Sequence, residues 1–334
     1  MSADLDPRRR RERGSAHAPR PTDLVALVTF DGEVYENQAV TRDRLARPAT
    51  APRPLNAAIE RWLGRGRQTW IDVRGRQING IATAREHFSS QAWMIDTLVD
   101  AAGAGETGVV AALLRQAMEA ATAEGVAHLL LRVAAGAPAL PDALRAGFKP
   151  ALSERLWCGE LLLRSQAPAQ ATAGGPPPVR EACDADAFAL FQLYNRSLPI
   201  DGRQALALSL EEWQDVQERR WLRRDGREYV ALADNRICAA LRLTRCGDVG
   251  QFDLLADAEG VAGATALLAV AAEQLAGAEH VLALVPRCAA ALEQPLRERG
   301  LEAETEYALL CRRTAQPLAK RAWAAAGLAV RGDV

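Results

Sequence analysis

The chain has 334 residues, 49% of them hydrophobic and 25% charged, which is the make-up of a folded protein with room for two domains of ordinary size. A formal net charge of −1 gives no bulk attraction to nucleic acid or to a membrane surface. Basic charge is almost all arginine, with Lys149 and Lys320 the only lysines, so a lysine nucleophile is nearly excluded.

The opening stretch, MSADLDPRRRRERGSAHAPRP, reads as an arginine-rich polar arm, with disorder expected over residues 1–19. No aromatic residues interleave its arginines, so nucleic acid is not an expected partner. No apolar run approaches the roughly 18 residues needed to span a bilayer, and no secretory pattern is visible. The six cysteines show no C-x-x-C and no histidine at metal-ligand spacing. Buried free thiols, no bound metal and a cytoplasmic location are therefore expected.

PLNAAIERWLG predicts a helix, and QTWIDV-RGR-QINGIATAR a β-hairpin. Glu86 and His87 follow the hairpin and could face a substrate. A strand, WMIDTLVD (93–100), carries Asp96 at its centre. The next residues hold a literal G-x-G-x-x-G at Gly103, Gly105 and Gly108, which opens the amphipathic helix VVAALLRQAMEAATAEG. A strand HLLLRV, a helix running to Gly147 and a closing strand RLWCGELLL complete the first half.

Residues 164–178 form a Pro/Ala/Gly linker. After it the order recurs. Ser209 and Glu212 form a capping box for a helix over SLEEWQDVQERRWLRR. REYVAL-ADN-RICAALRLTR is again a hairpin, QFDLLAD again a strand with a central aspartate, and ATALLAVAAEQLAG again a helix. HVLALV, a helix running to Gly300 and YALLCR follow. Asp96 matches Asp253, His128 matches His280 and Gly147 matches Gly300, a near-constant offset that marks a tandem duplication. The expected units are 20–163 and 179–314, with a tail over 315–334. The region ahead of each hairpin differs most between halves, so substrates or partners would be selected there. Trp62, Trp70, Trp93, Trp157 and Trp213 fall on apolar faces and read as packing. The duplicated histidines predict a structural role.

A dinucleotide fold would put its glycine turn after the first strand of a βαβ unit, with an acid some 20 residues beyond. Here the turn follows a hairpin and a further strand, and the strand after its helix carries Arg132 in place of a carboxylate. The nicotinamide reading is set aside.

The order hairpin, strand, glycine turn, helix, strand, helix, strand resembles the GNAT acetyltransferase superfamily, and two copies in one chain resemble its tandem members. The resemblance implies an α/β fold of two GNAT-like domains, each a mixed, mostly antiparallel sheet flanked by helices. It also implies acyl-CoA-dependent N-acetyltransfer, by direct attack, to a small-molecule or peptide amine that the sequence does not name. Acetyl-CoA would be the co-substrate. In that family the strand before the turn offers its backbone to the pantetheine arm, and the turn wraps the pyrophosphate at a helix N-terminus, where free N–H groups meet phosphate oxygens.

Carried onto this chain, the cofactor-binding residues are Leu98, Val99, Gly103, Gly105, Gly108 and Val109. Gly105 stands where Gln or Arg is usual, and Val110 where a small residue is usual. In the second half Glu259 would point a negative charge at the pyrophosphate. The first half is thus the expected acetyl-CoA site and the second a degenerate copy. Asp96 is the candidate catalytic base, directly or through water, with an arginine-paired strand aspartate as the structural alternative. The family's tyrosine position falls on Ala143 and Leu296, which cannot donate a proton. Tyr194, Tyr229 and Tyr307 remain as possible acids. A non-catalytic scaffold or interaction module is the competing expectation.

Overall fold

The computed structural model describes residues 16–31, 34–45, 53–63, 67–87, 91–102, 108–163, 177–206, 208–222 and 225–314. Residues 1–15, Gly103, Gly105, most of the linker and 315–334 lie outside the described residues, as does the side chain of Trp62.

The first half places helices α1 (Leu24–Thr29) and α2 (Pro54–Leu63) ahead of strands β1 (Arg67–Arg74), β2 (Gln77–Glu86) and β3 (Ala92–Asp100). Helix α3 (Val109–Ala123), β4 (His128–Ala134), α4 (Ala139–Arg145) and β5 (Lys149–Gly159) follow. The second half runs β6 (Val179–Glu181), α5 (Ala187–Ser197), α6 (Ile200–Leu206), α7 (Leu210–Val216), β7 (Arg227–Ala233), β8 (Arg236–Cys246) and β9 (Val249–Ala256). It closes with α8 (Val261–Gln274), β10 (His280–Pro286), α9 (Glu293–Glu298) and β11 (Leu301–Arg313). The predicted arm ends early, because His17 and Ile71 exchange backbone hydrogen bonds of 2.9 and 2.8 Å along β1. Asp234 and Asn235 both take positive φ, as a two-residue hairpin turn of type I′ requires.

Among the described residues, eleven strands form one sheet in the order β1-β2-β3-β4-β11-β5-β10-β9-β8-β7-β6. Leaving aside β6, which has no described counterpart strand outside β1, the order reads alike from both ends once the closing strands are noticed. β11 from the second half pairs with β4 of the first, and β5 from the first half pairs with β10 of the second. The two exchanged strands also pair antiparallel with each other. Each half therefore completes its sheet with the other's last strand.

Helices α3 and α8 cover one face of the sheet. Leu113, Leu114 and Ala117 pack there on Leu129, Leu131 and Val133, while Leu267, Leu268 and Ala271 pack on Val281, Ala283 and Val285. Alternate residues of β4, such as Met94's neighbour Leu130, point to the opposite face and meet α6 through Leu206. The Ser209–Glu212 capping box is present, with Glu212 N–H donating to Ser209 Oγ at 3.2 Å and Ser209 N–H to Glu212 Oε2 at 2.7 Å. The helix it starts is shorter than the sequence predicts. It stops at Val216, and the extended backbone at Gln217 carries Glu218 into a buried ionic cluster.

Candidate functional site

Each half opens a cleft where two parallel strands part. In the first half β3 and β4 pair only from Ala92–His128 to Ile95–Leu131. Asp96 then sits unpaired between the Ile95–Ala84 and Thr97–Thr83 pairs, a β-bulge that bends β3 away. The chain itself fills the cleft. Asn37 Nδ2 donates to Asp96 O at 3.0 Å, Leu98 N–H donates to Asn37 Oδ1 at 2.8 Å, and Gln38 N–H donates to Leu98 O at 2.9 Å. Val40 N–H reaches across to Arg132 O at 2.8 Å, and Ala139 N–H closes on Gln38 Oε1 at 2.7 Å. Both backbone groups of Leu98 are thus committed to residues 37 and 38. Leu98 and Val99 are fully buried, and Val109 packs on the same core as the first residue of α3. Gly108 caps that helix with φ of 95°, and a side chain added there would meet no heavy atom of the described residues within 4 Å.

In the second half β9 and β10 pair from Val249–His280 to Asp253–Leu284 and then part. Pro286, at the end of β10, has no N–H to continue the ladder. The register between β8 and β9 is unbroken, so β9 has no counterpart of the β3 bulge. Phe252 stands where Ile95 does, and Asp253 stands opposite Arg242 as Thr97 stands opposite Thr83. The Asp96–Asp253 match drawn from sequence therefore slips by one residue, because Asp96 is the inserted bulge residue. Here the helix start carries acids. Gly260 caps α8, Asp257 is buried beside it, and Glu259 is 79% exposed. Arg196 pairs with Asp257 at 3.0 Å, and Arg236 pairs with Glu259 at 2.6 Å.

A cavity of about 100 Å3 lies on the face opposite α8 and runs up to this divergence. Its walls are Leu152, Leu190, Leu198, Leu255, Leu284 and Pro286, with Tyr194 and Trp213. A wider cleft of about 590 Å3 adjoins it near the start of β7, sharing Leu190, Trp213, Arg219 and Glu228 and adding Glu181, Asp184 and Arg227. Burial pushes the Tyr194 phenol well above its ordinary pKa. Burial likewise pushes His87 down; its Nε2 lies 2.8 Å from Val216 O.

The charged end of the cavity belongs to a buried ionic cluster built by both halves. Arg132 Nε donates to Glu154 Oε2 at 2.6 Å and its Nη1 to Glu218 Oε2 at 2.9 Å, with both carboxylates and the guanidinium buried. Arg42, two residues beyond the segment that fills the first cleft, reaches Glu154 at 2.9 Å, Glu218 at 3.3 Å and Asp253 at 3.1 Å. Arg242 holds Asp253 through both carboxylate oxygens, and the Arg42 and Arg242 guanidinium groups lie 5.9 and 5.8 Å from the Trp221 ring. Three arginines face three carboxylates, so the cluster is balanced. Burial alone would raise Glu218, but Arg132 and Arg42 outweigh it and hold the carboxyl at about 2. Asp253 is likewise held low against its burial, by Arg242 and Arg42.

Of the sequence-predicted site residues, Asp96, Leu98, Val99, Gly108 and Val109 lie together along the first cleft, Gly103 and Gly105 lie outside the described residues, and the candidate acids Tyr194 and Tyr229 lie apart at the second-half cavity. Asp96 is fully buried, hydrogen-bonded by Thr83 Oγ1, and lies 2.7, 3.6 and 3.7 Å from Arg67, Arg44 and Arg85. Tyr194 and Tyr229 both line the second-half cavity, whereas Ala143 and Leu296 are buried in α4 and α9. His128 is buried with Nε2 3.3 Å from Leu206 O, but His280 is exposed, so their matched positions serve different surroundings. Arg42, Glu154, Glu218 and Arg242 were not singled out from sequence. For Glu154 and Arg242 the available signal was charge set inside an apolar strand, as in ALSERLW and AALRLTR, while Arg42 and Glu218 lie outside strands and carried no such signal. Among the described residues no group of three or more His, Cys, Asp or Glu side chains could hold a metal ion, and no helix is long and apolar enough to cross a membrane.

No protein-family model matches the sequence, and a comparison with curated proteins finds no match. Among solved structures, the chain is similar to a GCN5-related N-acetyltransferase from Sphaerobacter thermophilus, with a TM-score of 0.50 and 14% identity over 90% of this chain and 97% of that one. It is also similar to a GCN5-related glucosamine N-acetyltransferase region of a fungal multi-domain β-N-acetylglucosaminidase, with a TM-score of 0.50 and 13% identity over 89% of this chain and 38% of that one. The likeness shows the fold. This chain has the mixed α/β architecture of GCN5-related N-acetyltransferases, as the order of its elements predicted.

Proposed function

We propose that the protein is an acyl-CoA-dependent N-acyltransferase of two GNAT-like units, 20–163 and 179–314, in which the second unit and not the first receives the acyl-CoA. The observation that carries this is the contrast between the clefts. Residues 37–40 occupy the backbone of Leu98 in the first, while the second parts onto a cavity walled by Tyr194, Leu255, Leu284 and Pro286. An incoming pantetheine would have to displace four hydrogen bonds in the first cleft and none of these in the second. The expectation that the first unit binds acetyl-CoA rested on its glycine frame, which says nothing of what occupies the strands beside it.

In this reading the thioester lies where β9 and β10 part. The amine enters through the wider cleft, where Glu181 and Asp184 offer negative charge beside Arg227 and the Arg219–Glu228 pair. Its neutral form attacks the thioester carbonyl, a C–N bond forms, the C–S bond breaks, and the surplus proton on nitrogen passes to water in the cleft. The departing thiolate takes a proton from water in the cleft, and Tyr194, whose phenol burial keeps protonated, lines the cavity as a hydrogen-bond donor. Asp253, held low by two arginines, orders the cavity end and is not the base. Binding of the diphosphate at α8 works against Glu259, partly offset by Arg236 and Arg196.

Calorimetric titration with acetyl-CoA tests the assignment. One site per chain is expected, unchanged by Gly108→Asp. Glu259→Arg, which turns an exposed negative charge at the helix start into a positive one, should tighten binding roughly three- to tenfold. Loss of binding in Gly108→Asp with no response to Glu259→Arg would return the site to the first unit. A second reading, a non-catalytic scaffold, is favoured by the filled first cleft and the acidic start of α8; saturable binding of acetyl-CoA without turnover on a broad amine panel would support it.

A further inference from the structure

We propose that the acyl group this site prefers is longer than acetyl, a chain of about four carbons seated in the cavity at the β9–β10 divergence; this rests on the second unit being the acyl-CoA site. Size is the first argument. An apolar cavity of roughly 150 Å3 takes up benzene, which is roughly 25 Å3 per carbon. The cavity here, at about 100 Å3, holds about four carbons on that scale. An acetyl group brings one methyl beyond its carbonyl and would leave most of the space without contacts.

Chemistry of the walls is the second argument. Leu152, Leu198, Leu255, Leu284 and Pro286 present hydrocarbon. The charges at the far end, Asp253 with Arg242 and Arg42, are spent on one another. A polar amine gains nothing from such walls, whereas a hydrocarbon tail does. The neighbouring wider cleft adds Glu181, Asp184 and Arg227 and has room for the acceptor, while Glu228 lies 3.6 Å from Arg219 where the two spaces meet. The two spaces divide the two substrates by polarity, and Trp213, which lines both, stands between them.

The test is calorimetric titration of the full chain with CoA, acetyl-CoA, propanoyl-CoA, butanoyl-CoA and octanoyl-CoA. Each methylene that enters the cavity should tighten binding about fourfold, the equivalent of about 0.8 kcal/mol. Butanoyl-CoA should therefore bind about 15-fold tighter than acetyl-CoA, and octanoyl-CoA should lose that gain. Leu190→Trp, which fills the cavity from α5, should bring the butanoyl-to-acetyl ratio close to one. A ratio under threefold in the unaltered protein overturns the proposal, as does octanoyl-CoA binding tightest. If CoA and acetyl-CoA bind but longer esters bind no tighter, only the chain-length proposal fails. If CoA and every ester fail to bind, the acyl-CoA reading of the second unit fails with it.

Discussion

Asn37→Ala separates a structural plug from a loop that merely lies in the cleft. The side chain is 3% exposed and makes three contacts: Oδ1 accepts from Leu98 N–H at 2.8 Å and from Ala39 N–H at 3.1 Å, and Nδ2 donates to Asp96 O at 3.0 Å. Alanine leaves two buried N–H groups without an acceptor, while Asp96 O keeps Arg44 Nη1 at 2.6 Å. Each orphaned donor costs about 1–3 kcal/mol, so the substitution should destabilise by roughly 2–6 kcal/mol. That is a large share of the ~5–15 kcal/mol that holds an ordinary domain together. Urea unfolding followed by fluorescence reads it as a fall in midpoint at unchanged slope. Asn37→Asp keeps both acceptor bonds but turns an oxygen toward the Asp96 carbonyl, so it should also destabilise. A loss below about 1 kcal/mol in Asn37→Ala would mean that water or rearrangement satisfies Leu98 at little cost. The first cleft would then be open to a ligand, and the preference for the second unit would lose its main support.

The buried cluster gives two further expectations. Arg132→Met removes the guanidinium between Glu154 and Glu218, leaving both to Arg42, and should cost about 3–5 kcal/mol in the same unfolding assay. Stability should fall in acid. Glu218 and Asp43 are both held at about 2 in the fold against their burial, by Arg132 and Arg42 in one case and Arg85 in the other. A glutamate in the unfolded chain titrates near ~4.3 and an aspartate near ~3.9. The unfolded state therefore takes up protons first, and the stabilisation present above these values is lost as pH drops toward about 2. Glu218→Gln should make this acid limb shallower in pH-dependent urea midpoints; an unchanged slope would count against the cluster. Burial lowers His87 and His128, so a separate, smaller loss should begin as pH drops below ~6.5.

Much of the fold was legible because its signals are local. The hairpins, the amphipathic α3, the more evenly apolar α8, and the helix-ending glycines at 147 and 300 stand almost where periodicity and turn chemistry put them. The candidate site was less legible, for identifiable reasons. A bulge adds one residue to β3 without any mark in the sequence, so Asp96 and Asp253 look equivalent although their backbones are not. The filling of the first cleft depends on a loop, ENQAV, whose partners lie 59 and 61 residues away at Asp96 and Leu98. The helix predicted through residue 224 stops at Val216 because Glu218 finds Arg132 and Arg42, a long-range pairing that outweighs local helix propensity. What the sequence did indicate was where to look, since the least alike region of the two halves supplies the plug and one side of the cavity, through Leu190, Tyr194, Leu198 and Trp213.

The exchange of β5 and β11 makes the two halves one folding unit, although their patterns read as separate domains. Residues 16–163 alone would keep β1 to β5, but β4 would lose the partner it has from Tyr307 to Arg313, and β5 would lose both neighbours. A β4 edge of seven residues, with Leu129, Leu130 and Leu131 at its centre, invites pairing with any other strand. The same symmetry offers a remedy, because β5 of a second copy can stand where β11 stands, restoring the order from β1 through β5 on each side. The isolated first half is therefore expected as a strand-exchanged dimer, or as aggregate where exchange is too slow. Light scattering coupled to size exclusion reads the difference. A monodisperse, cooperatively unfolding monomer of residues 16–163 would show that the exchanged strand is dispensable, and that the halves touch as domains instead of completing one another.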